Sequence, residues 1–198
     1  MKLGTGRYAE LLGRLLGQSG VLEVASDLSP EISPVLVLES DRPEWAFLSN
    51  QRLVSVFGGM AAVAAQTSIF RLINPAGSNV LATIQRGTLV PAATAQATLF
   101  VGGAVADLTT AGVPVFRDSR SGFVGGAALR ASFDNNVAAS GFGIERQNAL
   151  GNAPIFFQCF PIILAPGSHV DITIDTVNVA GPVAVHWRER EIGKYEQR

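Results

Sequence analysis

The sequence predicts an all-β protein, an antiparallel β-sandwich or jelly roll carrying a short N-terminal helical arm. Roughly nine or ten short strand-like runs follow one another with turn residues every ~8–15 positions and no interleaved helices. The end of the chain shows strict two-residue alternation: Val170, Ile172 and Ile174 against Asp171, Thr173 and Asp175, then Val183, Val185 and Trp187 against Ala184, His186 and Arg188. Helical periodicity is clear only near the N-terminus.

That helical stretch covers residues 5–16. Tyr8, Leu11, Leu12, Leu15 and Leu16 fall on one apolar stripe, with Thr5 placed to cap the start and Gly17 to end it. So short a helix is marginal alone, so its leucines must dock on protein, at home or on a neighbour. These five residues form the expected interface of the arm. Residues 18–34 follow as a polar tether with Pro30, Pro34 and the acids Glu23, Asp27 and Glu31. Residues 1–34 are thus an arm and linker, 35–191 a β domain and 192–198 a charged tail.

Within the β domain, Val35–Glu39 is an apolar run, and Asp41-Arg42-Pro43-Glu44 is a charged turn before Trp45–Leu48. Strands are expected at Arg52–Phe57 and Ala62–Ile73, then, after the turn Asn74-Pro75-Ala76-Gly77-Ser78, at Asn79–Gln85 and Ala95–Val101. Gly112–Phe116, Ala127–Phe133 and Ile155–Leu164 follow. Gly, Asn and Ser mark Arg117–Gly126 and Asn135–Asn152 as long loops. The last two runs read as a hairpin turning at Ala180-Gly181-Pro182. Its apolar residues change phase between Ile174 and Val177, so a bulge is expected at Asp175-Thr176. The competing arrangement ends the strand at Asp175, makes Thr176–Gly181 a loop and sets His186 across from Asp171. Phe70, Leu72, Ile84, Phe133, Phe157, Ile172, Ile174, Val185 and Trp187 are the expected core.

Only 16% of residues are charged, while 47% are hydrophobic, so the chain is short of solvated surface. Thirteen Arg stand against two Lys, a bias that suits interfaces, where a planar fork pairs better than a point charge. Both features point to an oligomer or larger assembly. A formal net charge of −1 argues against a nucleic-acid partner. Three uncharged windows, Leu53–Phe70, Gly87–Ala106 and Gln147–Ser168, reach the ~18-residue length of a membrane span. Each is broken by Gly, Gln, Asn or Pro, so no membrane span is expected, and the N-terminus lacks the pattern of a secretion signal.

Chemistry is sparse. Cys159, the only cysteine, sits among Phe156, Phe157 and Phe160 and reads as a small buried apolar residue. His169 and His186 lie too far apart along a ladder to share a metal. No Gly-x-Ser-x-Gly elbow, dinucleotide fingerprint or phosphate loop is present. Asp171 and Asp175 read as solvated or Arg-paired rather than as a glycosidase pair. Eleven Phe against two Trp and two Tyr favour packing over sugar stacking, with Trp187 on a core face and Trp45 left open. No catalytic, cofactor-binding or metal-ligating residue is assigned, and no cofactor is expected.

Three segments carry a resemblance: Asp41-Arg42-Pro43-Glu44-Trp45, then Phe70-Arg71-Leu72-Ile73-Asn74-Pro75-Ala76-Gly77-Ser78-Asn79-Val80-Leu81, then Pro166-Gly167-Ser168 leading to Trp187-Arg188-Glu189-Arg190. Together they resemble tailed-bacteriophage virion proteins over most of residues 35–191. The resemblance implies a β-sandwich virion component without enzymatic activity. The expectation is a capsid decoration or cement protein whose partners are the major capsid protein, other virion subunits and further copies of itself. A tail, fibre or baseplate component is the alternative within that class; a carbohydrate- or receptor-binding module is the alternative outside it.

Overall fold

A computed structural model of the chain describes residues 52–117 and 127–192. The expected arm with Tyr8, Leu11, Leu12, Leu15 and Leu16, the runs at 35–39 and 45–48, and residues 118–126 and 193–198 lie outside them. The described residues form twelve strands and no helix: β1 (Arg52–Met60), β2 (Ser68–Asn74), β3 (Val80–Leu89), β4 (Ala95–Gly102), β5 (Thr110–Ala111), β6 (Val115–Phe116), β7 (Arg130–Asn135), β8 (Phe142–Ala149), β9 (Ile155–Phe156), β10 (Ile162–Leu164), β11 (Ser168–Ile174) and β12 (Gly181–Glu191).

The strands form two antiparallel sheets. The first has the order β10-β3-β12-β1-β6, with β9 also pairing along β3; the second has the order β5-β7-β2-β11-β4-β8. Val54, Ile84, Val185 and Trp187 of the first sheet and Phe70, Leu72, Leu99 and Ile172 of the second belong to one hydrophobic core. All nine core residues expected from the sequence are buried in it. The Phe70 and Phe133 rings meet at 5.2 Å between centroids, tilted by 53°.

The final pair is not a hairpin. β11 pairs with β2 and β4 in the second sheet, whereas β12 pairs with β1 and β3 in the first. Residues 175–180 cross between the sheets. Asp175 N–H bonds the Gln96 carbonyl, Asn178 N–H bonds the Gln66 carbonyl, and the Asn178 side chain accepts from Ala65 N–H. Val177 is exposed and Val179 buried, so no bulge at Asp175-Thr176 is needed. The competing register fails too, because His186 lies opposite Ser55 and Arg86, on the other sheet from Asp171. The phase slip sits in β3. There Val80, Ala82 and Ile84 point inward, then Gly87 and Leu89, and the register with β12 shifts between His186 and Trp187. One extra residue at Gln85-Arg86 makes that change.

Other boundaries move. The run at 62–73 becomes a strand only from Ser68, because residues 61–67 form a turn closed by Gln66 N–H on the Val63 carbonyl. The run at 112–116 shortens to β6, and that at 155–164 splits into β9 and β10. The stretch 135–152, expected as a loop, contains β8, the edge strand of the second sheet. Its inward positions hold Glu145 and Gln147 opposite Leu99 and Ala97, so apolar alternation does not mark it. The Asn74–Ser78 turn is confirmed, with Ser78 N–H on the Pro75 carbonyl. The Asn74 amide, fully buried, donates to the carbonyls of Val80 and Leu164 in the first sheet.

Candidate interaction surface

The two sheets differ in what covers their outer faces. On the second sheet, β11 is buried on both sides. Its outward residues are His169, Asp171 and Thr173; the alternation put Asp171 and Thr173 on a wet face, yet loops 103–109 and 136–141 lie over all three. Arg71, opposite Asp171 on β2, forks onto its carboxylate through Nε at 2.8 Å and Nη2 at 2.7 Å, and donates Nη1 to the Ala106 carbonyl at 3.1 Å. The hydrogen bond to Asp171 raises the arginine's pKa against the opposing effect of burial. Asp171 also accepts from Ser140 N–H at 3.0 Å. The His169 ring faces the Gly103 carbonyl through Nδ1 and the Ser140 carbonyl through Nε2. Asp175 is held by the hydroxyls of Thr98 and Thr173. Each carboxylate is thus bound in a structural network; Asp171 is Arg-paired as expected, but buried rather than solvated.

A third carboxylate closes the edge. Glu145 on β8 accepts the backbone N–H groups of Gln158 and Cys159, and the Gln147 amide donates both to Glu145 and to the Phe156 carbonyl. Burial works to raise the Glu145 pKa, but hydrogen bonds from the Cys159 thiol, the two N–H groups and Gln147 together hold it below the ordinary value. The converse falls on Cys159, whose thiol is pushed up to about 12 by burial, by its bond to Glu145 and by that residue's charge. A thiol so placed is a poor nucleophile. Among the described residues, no group of three or more His, Cys, Asp or Glu side chains converges as a metal site would require.

The outer face of the first sheet is different. Strand register sets Phe57, Ala184, Thr88 and Phe156 in one row across β1, β12, β3 and β9. The next row is Val115, Ser55, His186 and Arg86. A third joins Leu53, Arg188, Thr83 and Ile163, with Arg117 N–H bonded to the Leu53 carbonyl at its end. Phe57 is 73% exposed, Ile163 62%, Val115 53% and Phe156 45%. The Arg86 guanidinium lies 5.0 Å from the centre of the Phe156 ring. The His186 pKa is lowered, first by burial and then by the charges of Arg117 and Arg86. No outward position on these described strands is Asp or Glu.

Sequence reasoning placed Trp187 correctly in the core, where its indole N–H donates to buried Glu189. It missed this face, because the residues that build it come from six strands spread between positions 53 and 190. The signals available in the chain were the Arg bias and the Phe count, which carry no position. Comparison with protein-family models, curated proteins and solved structures returned no match.

Proposed function

We propose that this chain is a non-enzymatic structural protein of a bacteriophage virion, a capsid decoration protein that acts by binding its neighbours. One observation carries the reading: a sheet face with four exposed apolar side chains among Arg86, Arg117 and His186, and without an outward acid on its described strands. Apolar area with Arg, and little Lys, is the composition of a protein–protein contact. The word virion rests on the resemblance of residues 41–45, 70–81 and 166–190 to tailed-bacteriophage proteins.

The finer fold reading is a jelly-roll sandwich. Supporting it, β1, β12, β3 and β9/β10 lie in one sheet and β2, β11, β4 and β8 in the other, so most successive strands alternate between sheets. Both sheets feed one core. Capsid domains, lectins and cupins share that architecture, so the fold alone selects no function.

Mass spectrometry of purified particles tests the proposal. A decoration protein repeats with the capsid lattice, at on the order of hundreds of copies, and a tail component at about a dozen or fewer. Absence from particles overturns the virion reading. Binding to glycans that is lost in Trp45→Ala replaces it with the carbohydrate-binding module.

A further inference from the structure

We propose that the outer face of the first sheet docks the acid-bearing segment 21–44 of a second copy of this chain. The inference deepens the proposed function by naming the partner of its contact surface, and it rests on that surface being an interface.

The argument is charge complementarity together with the length of chain that precedes the described residues. Arg86 lies beside the neutral-leaning His186 in the middle of the face and Arg117 follows β6 at its edge, with Phe57, Phe156, Val115 and Ile163 around them. Two such faces repel one another, so symmetric face-to-face pairing is disfavoured. A complement must carry carboxylates among apolar side chains. Segment 21–44 has that composition: Glu23, Asp27, Glu31, Glu39, Asp41 and Glu44 against one base, Arg42, interspersed with Val21, Leu22, Leu28, Ile32 and Val35–Leu38. Its 24 residues can span up to roughly 80 Å when extended, enough to cross onto a neighbour. A contact between the face of one copy and the segment of the next is heterologous, so it builds a ring or an open array.

The test is charge reversal read by analytical ultracentrifugation of the full-length protein. R86E/R117E reverses the face at two exposed positions; E23R/D27R/E31R reverses the segment. Unchanged circular dichroism and melting temperature show that each variant folds. Each alone should self-associate at least ~10-fold more weakly than wild type, because like charges then meet. An equimolar mixture of the two should associate again, since each supplies the charge the other lacks. Wild-type association should weaken between about 0.05 M and about 0.5 M salt.

Undiminished association in both variants, or a mixture that stays monomeric, overturns the proposal; a monomeric wild type does so too. Binding of a single-stranded oligonucleotide by wild type that is lost in R86E/R117E overturns it in favour of a nucleic-acid face. None of these outcomes changes the copy number in particles, so the functional reading stands or falls separately.

Discussion

Asp171 is where local pattern and final environment diverge most. Alternation with Val170 and Ile172 assigns it to the outer face, and it does point there, but two loops and Arg71 enclose it completely. Asp171→Ala leaves a buried guanidinium unpaired, so it should destabilise the fold by about 3–5 kcal/mol in urea titration. Replacing both partners, as Arg71→Met with Asp171→Leu, should cost less than the single change, because no charge is then stranded. Equal costs would mean that the pair is not enclosed. Cys159 gives a second check. With its thiol pushed up to about 12, alkylation by iodoacetamide at pH 8 should run roughly 10³-fold slower in the folded protein than in urea, since only the thiolate reacts. Glu145→Gln should narrow that gap by removing the neighbouring negative charge. The pairing of Asp171 was among the readings available from the sequence; its enclosure was not, because loops 103–109 and 136–141 arrive from distant positions.

At the scale of elements, strands with an apolar inward face were legible and those with a polar one were not. β3 even displays its irregularity in sequence: inward residues at 80, 82 and 84, then at 87 and 89, record the bulge directly. In β8 the inward Glu145 and Gln147 are satisfied by the chain around β9 rather than by apolar packing, so its alternation is inverted. The hairpin expected at Ala180–Pro182 failed for another reason. A Gly-Pro break between two alternating runs looks the same whether the chain turns back or crosses to the facing sheet. The arm at residues 5–16 carries a prediction of its own. Replacing Leu12 and Leu15 with Asp should weaken assembly more than it lowers the melting temperature of the β domain. Truncation of residues 1–20 that alters neither quantity would remove the arm from assembly.

At the scale of the whole molecule, stability is concentrated where both sheets meet. Trp187 is fully enclosed between Val54 and Ile84 on adjacent strands and donates its indole N–H to Glu189. Trp187→Ala should cost about 3–5 kcal/mol by thermal or chemical unfolding, the range for removing a large buried aromatic. A cost below about 1 kcal/mol, typical of surface changes, would place the ring outside the core.

Read residue by residue, the chain already declares an all-β protein in its described part, the residues that enter the core, and a scarcity of chemistry-bearing side chains. Those properties are written in short-range periodicity and composition, which a strand of a few residues displays on its own. Folding in three dimensions sets the rest: which sheet each strand joins, the separation of β11 from β12, the sealing of Arg71 with Asp171, and the meeting of Arg86, Arg117 and Phe57 on one face. Strand partners are chosen by closing long loops onto a common apolar core, and the two-residue period is the same for every partner a strand could take.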